Sequence, residues 1–104
     1  MEERIEKLKA FLLESPADCF LQHALALEYV KLGNDAEARK WFEAILNSNP
    51  NYIGSYYHLG KLLERLNETA VAITWYEKGM AAARAANDLH ALGELRGAYE
   101  ELTF

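Results

Sequence analysis

Apolar residues recur along this chain at helical spacing, interrupted by short polar stretches. Leu25, Ala26 and Tyr29 fall at i, i+1 and i+4, one face of a 3.6-residue helix. Gly33-Asn34 stops that helix, because glycine tolerates the left-handed backbone that a helix C-terminus often takes. Asn34 can cap the next helix, with Glu37 three residues on to complete a capping box. Ala38, Phe42 and Ile45 mark its buried face, and it ends before Pro50. Upstream, Ser15-Pro16-Ala17-Asp18 reads as a helix start: a capping serine, a proline in the first turn and an acid near the positive helix end. Downstream, the pattern predicts helices from about Tyr52 to Leu66 and from about Thr69 to Ala86. Asn87-Asp88 opens a sixth, carrying Leu89, Leu92, Leu95, Tyr99 and Leu102.

The pattern repeats at an offset of 34 residues. Leu25, Ala26 and Tyr29 fall on Leu59, Gly60 and Leu63. Lys31-Leu32-Gly33-Asn34 falls on Arg65-Leu66-Asn67-Glu68, and Lys40-Trp41-Phe42-Glu43 on Thr74-Trp75-Tyr76-Glu77. Ala38 meets Ala72, and Pro16 meets Pro50. Leu8 and Phe11 fall on Phe42 and Ile45, so the first residues are the back half of a repeat. Arg84 stands where the proline would recur, and the fifth helix is expected to run longer. Six helices in antiparallel pairs with short links form a helical solenoid. Ala26 or Gly60 on one helix and Ala38 or Ala72 on its partner permit close approach, while Phe42 and Tyr76 fill space between neighbouring pairs.

Composition agrees with this reading. The chain has 104 residues, 51% hydrophobic and 26% charged, with sixteen Ala and sixteen Leu against nine Val, Ile and Thr together. Ala and Leu lose little rotamer freedom in a helix, whereas β-branched residues lose more. A net charge of −5 is a poor basis for gripping a phosphate backbone, and Lys and Arg never cluster, so nucleic acid is not an expected partner. The N-terminal segment lacks the apolar core of a signal peptide, and no stretch approaches the roughly 20 apolar residues of a membrane helix. The single cysteine, Cys19, cannot pair internally, and a cytoplasmic location is the expectation. Asn67-Glu68-Thr69 spells a glycosylation acceptor but reads better as a helix start.

Catalytic chemistry finds no support. There is no nucleophile elbow, no phosphate loop and no dinucleotide fingerprint, and the acids are spread along solvated helix faces. Cys19 and His23 stand four apart on one helix face, and a metal site would need a further ligand such as His58, so no metal or cofactor is expected. Gly93 and Gly97 lie four apart on the last helix. Tight packing against the preceding helix is their expected role, with self-association as the alternative. Trp41 and Trp75 occupy equivalent positions, which suits partial burial or a contact patch.

At this point the residues resemble the tetratricopeptide repeat. Leu25-Ala26, Tyr29, Ala38, Phe42 and Pro50 match its signature in one repeat, and Tyr56, Leu59-Gly60, Leu63, Ala72, Tyr76 and Gly79 in the next. Gln22, Ile45 and Arg84 depart from it. The resemblance divides a single domain, 1–104, into a half repeat (1–18), two repeats (19–52 and 53–86) and a capping helix (87–104). It implies an all-α, right-handed superhelix whose first helices line a concave groove for a peptide or helix of another protein. The inward positions would carry Phe20, His23, Leu27, Val30 and Lys31, then Tyr57, His58, Lys61, Glu64 and Arg65. The apolar ones among them suit either a ligand or a neighbouring helix. The Lys, Asn and Arg clamp of chaperone-binding members is absent, because His23, Leu27 and His58 hold the corresponding positions. The expected function is therefore non-catalytic protein–protein interaction. Phe20, Leu27 and Tyr57 would serve as anchors, with Lys61 and Glu64 setting orientation. Assembly into a homodimer or small oligomer is the alternative.

Overall fold

The computed structural model describes residues 2–104; Met1, part of the expected half repeat, lies outside the described residues. The described residues form six helices: α1 (Glu2–Glu14), α2 (Cys19–Leu32), α3 (Asp35–Ser48), α4 (Gly54–Arg65), α5 (Thr69–Ala85) and α6 (Leu89–Thr103). No strand occurs among the described residues. The helices gather into two compact units, one ending at Asn49 and the other spanning Pro50–Phe104. In the first, α2 packs against both α1 and α3; in the second, α5 packs against both α4 and α6, and α4 also touches α6.

The first core consists of Ile5, Leu8 and Leu12 with Leu25, Ala26, Tyr29, Ala38, Phe42, Ile45 and Leu46. The second consists of Tyr56, Leu59, Leu62, Leu63, Ala72, Tyr76, Met80 and Ala83 with Leu95 and Ala98. Phe11 departs from its repeat partner: Ile45 is fully buried, whereas Phe11 is 55% exposed. Ile45 belongs to a helix packed on α2 in a complete hairpin, while α1 turns Leu8 and Leu12 to α2 and leaves Phe11 outside. Tyr76 fills space within its own hairpin, across Gly60 of α4.

Three helices close in the same way. At Gly33, Asn67 and Asn87 the backbone turns left-handed, with φ of 77°, 62° and 56°. Each time the next N–H reaches back five residues: Asn34 to the Tyr29 carbonyl, Glu68 to Leu63 and Asp88 to Ala83, all at 2.9 Å. This is the Schellman closure, and asparagine serves in two of the three because it tolerates that region better than most residues. Asn67 therefore ends α4 instead of starting α5.

The start of α2 corrects the sequence expectation. Its cap is Asp18, whose carboxylate accepts the Leu21 N–H at 3.1 Å. Ser15 instead receives the Asp18 N–H on its own carbonyl, and Pro16 lies in that turn outside the helix. Asn34 and Asp88 cap α3 and α6, accepting from Glu37 and Ala91 N–H groups at 3.4 and 3.0 Å. One step into the following helix, Gln22 donates to the Pro16 carbonyl at 2.7 Å, and Tyr56 donates to the Pro50 carbonyl at 2.6 Å. Gln22 and Tyr56 are repeat equivalents, so an amide and a phenol tie down the same turn.

The last helix keeps the pattern two residues late. Leu59, Leu62 and Leu63 of α4 are matched by Leu95, Ala98 and Tyr99 of α6, not by Gly93, Arg96 and Gly97. With arginine at position 84 in place of proline, α5 runs 17 residues against 14 for α3, and α6 enters turned accordingly. The expected tight packing of Gly93 and Gly97 is not found. Both are exposed, and a Cβ on either would meet nothing within 4 Å.

Candidate functional site

Of the first-repeat residues expected to meet a partner, Phe20 lies in the first turn of α2 and is 71% exposed. Three residues on, the His23 ring stands edge-on to the core ring of Phe42, with centroids 5.7 Å apart. Leu27 is half-buried. Lys31 is engaged within its own unit: its ammonium lies 3.1 Å from the carboxylate of Glu28, which also accepts the Arg4 Nε–H at 3.1 Å. The Glu28 side chain is only 5% exposed, while both cations remain mostly in water.

Glu28 escaped the sequence reading, although a signal was there. It falls in repeat register with Leu62, a core position, and Arg4 falls in register with the core alanines Ala38 and Ala72. An acid and a base standing at two core positions of the repeat call for each other, since a buried carboxylate must find a cation or donors.

The second unit brings together four of the five residues expected of it, Tyr57, His58, Lys61 and Glu64. The Lys61 ammonium sits 5.7 Å from the centre of the Tyr57 ring. It also lies 3.6 Å from the Glu64 carboxylate, three residues on. The His58 ring stands edge-on to Tyr57, centroids 6.0 Å apart and planes at 85°. From α5, the Tyr76 hydroxyl donates to Glu64, closing the chain of contacts. Burial holds the Tyr76 proton well above the usual phenol range, and the hydrogen bond to Glu64 adds to the effect. The His58 imidazole is lowered, first by the protein mass around a ring whose outer edge is open, against an opposing pull from Glu94 of α6. Glu64 is thus oriented from both sides, a held carboxylate beside an aromatic face.

Trp41 is half-buried, lining with Leu12, Leu13, Pro16 and Lys9 a cleft of about 340 Å³. Trp75 is also half-buried, tilted against Tyr56 with Lys78 4.7 Å above its ring. Among the described residues no three His, Cys, Asp or Glu side chains converge as a metal site, and no helix is long and apolar enough to cross a membrane.

Six helices in repeating hairpins among the described residues, with Gly60 seated against the Tyr76 ring inside one of them, define an all-α helical repeat protein. The sequence profile of the tetratricopeptide repeat matches residues 21–52 and 53–85, and the chain belongs to that family. Folds of this family generally mediate protein–protein interaction. Among solved structures, the chain is similar to a tetratricopeptide repeat domain protein of Salinibacter ruber. The two are 41% identical with a TM-score of 0.79, over 83% of this chain and 96% of that one. It is also similar to a Bordetella parapertussis protein at 27% identity and a TM-score of 0.81, covering 95% of this chain and 86% of the other. Mouse aspartyl/asparaginyl beta-hydroxylase is 29% identical over 73 residues, 70% of this chain; the chain spans about a tenth of that protein's length.

Proposed function

We propose that this chain is a non-catalytic interaction module that binds a peptide or helix of another protein. The observation that carries the reading is the ordered cluster on α4, where Tyr57, Lys61 and Glu64 are fixed to one another and to Tyr76. A held aromatic face beside a held charge loses little freedom on binding, which is what a recognition surface needs. Tyr57 supplies apolar contact, and Lys61 and Glu64 set the orientation of the bound segment. In the first unit Phe20 offers a further anchor, with His23 and Leu27 beside it on α2 and Lys31 holding its charge through Glu28. A module of two full repeats makes a short surface, so affinity is modest, about micromolar or about −8 kcal/mol.

The test is affinity capture from native lysate with the wild-type chain and a Phe20→Ala/Tyr57→Ala variant. Loss of the captured protein by a variant that melts normally supports the reading; full retention overturns it. Light scattering over a concentration series separates this from self-association, which predicts a mass that grows with concentration.

A further inference from the structure

On α4, Tyr56, Gly60 and Leu63 are buried, and Gly60 lies against the Tyr76 ring of α5. Carried to α6 with the two-residue shift, these positions are Leu92, Arg96 and Tyr99, none of them buried. The face by which α4 receives α5 is therefore uncovered on α6. It borders a cleft of about 380 Å³, lined by Arg96, Tyr99 and Glu100 from α6 and by Glu77, Met80 and Arg84 from α5. The four charged side chains make no ion pair or hydrogen bond among the described residues. Glu77 and Arg84 stand two turns apart, and Arg96 precedes Glu100, the weaker order for a pair one turn apart. On each helix the arginine is the nearer of the two to the turn at Asn87 that joins α5 to α6. The cleft is thus basic toward that turn and acidic away from it, with Met80 and Tyr99 supplying apolar surface.

We infer that this cleft receives an α-helix of a partner protein running antiparallel to α6, basic in its N-terminal half and acidic from its centre onward. A helix fits because one already fills the same face of α4. Antiparallel packing, the relation of α5 to α4, sets the partner's N-terminal half beside Glu77 and Glu100 and the rest beside Arg84 and Arg96. Unpaired charges of both signs then meet their opposites, and a reversed helix meets like charges. Arg96 in the register of Gly60 also fills the seat of an aromatic ring, so the partner carries a carboxylate where α5 carries Tyr76. Phe20 and Tyr57 take no part, which makes this a second surface of the interaction module proposed above.

Two synthetic peptides of about four turns test it, both bridged on the outer face to hold them helical and alike in composition and apolar seam. The first has lysines in its N-terminal half and glutamates from its centre on; the second exchanges them. Binding to the full chain is read by fluorescence anisotropy at low and high salt. The first peptide is expected to bind roughly tenfold tighter, the gap narrowing as salt rises. Exchanging the four charges of the cleft (Glu77→Arg, Arg84→Glu, Arg96→Glu and Glu100→Arg) keeps the net charge and should reverse the preference. Arg96→Ala should weaken the first peptide and strengthen a version with tyrosine at its central glutamate; it tests the same contact should the fourfold variant melt early. Equal binding of the two peptides, tighter binding of the second, or an unchanged preference in the exchanged variant overturns the inference. Binding of neither overturns it too, leaving the charges as a polar cover for the last helix. Self-association of the wild-type chain that the charge exchange abolishes would make the occupant a second copy and overturn the assignment to a partner. If the lysate partner is still lost on Phe20→Ala/Tyr57→Ala while the peptides fail, the interaction reading stands and only this surface falls.

Discussion

Gly60 of α4 lies directly beneath the ring of Tyr76 on α5, so close that a methyl group there would collide with three ring carbons. Both positions are buried, as are their repeat partners Ala26 and Phe42. The ring of Tyr76 cannot swing away without giving up its hydrogen bond to Glu64. Gly60→Ala is therefore expected to cost about 1–3 kcal/mol, despite alanine's better helix propensity. Tyr76→Leu removes the collision, so the double variant should be more stable than the two single losses predict. Urea titration of the four proteins measures the coupling; strict additivity would show that the ring and the glycine are not in contact.

Glu28 carries a second expectation. Glu28→Gln keeps the shape and removes the charge that Arg4 and Lys31 share, at an expected cost of about 1–2 kcal/mol. That is less than for a fully buried pair, because both cations are mostly hydrated and screened. Glu28→Leu with Arg4→Ala installs the residue types that stand in repeat register with them, Leu62 and Ala38, and should return stability to within about 1 kcal/mol of wild type. A neutral Glu28→Gln in denaturant titration would mean that the charges add nothing to holding α1 on α2.

The repeat was legible because packing imposes a period. Leu25, Ala26 and Tyr29 recur at Leu59, Gly60 and Leu63 since each hairpin buries the same face. What escaped was set by pairs distant in sequence or by shifts in register. Glu28 looked like one more surface acid until Arg4, 24 residues away, was seen beside it. Gly93 and Gly97, four apart, suggest tight packing, but the longer α5 turns the last helix, and the buried positions fall on Leu95 and Ala98 instead. Gln22 departs from the family pattern, yet its amide reaches the Pro16 carbonyl as Tyr56 reaches Pro50. A pattern of residue types cannot show that two unlike donors do one job. On the surface, Tyr57, His58, Lys61 and Glu64 are named by the family resemblance alone; their mutual contacts depend on rotamers that no spacing rule specifies.

The helix starts provide a direct check on Ser15 and Asp18. Asp18→Ala and Asp88→Ala each remove a carboxylate that accepts a first-turn N–H, and each should cost about 1 kcal/mol. Ser15→Ala should fall within about 0.5 kcal/mol of wild type, since only its backbone is used at the turn. Thermal melts of the three variants decide the matter. A Ser15→Ala loss equal to that of Asp18→Ala would restore the serine as the cap.

Two of the buried phenols, Tyr56 and Tyr76, are expected to limit the fold at alkaline pH. Burial raises Tyr56, whose hydroxyl donates to the Pro50 carbonyl, and raises Tyr76 further with the help of Glu64. In the unfolded chain both titrate near about 10. Below that value the native and unfolded states hold the same phenolic protons, and stability from this source is complete. Above it the unfolded state releases protons that the native state keeps, so stability falls as pH rises. Melting temperature is therefore expected to drop from about pH 9 upward, and less steeply in a Tyr56→Phe/Tyr76→Phe variant, which lacks both of these raised phenols. The double variant starts lower at neutral pH, having lost two hydrogen bonds, so the comparison is between slopes. Parallel slopes for the two proteins from pH ~8 to ~11 would place the alkaline transition on other groups.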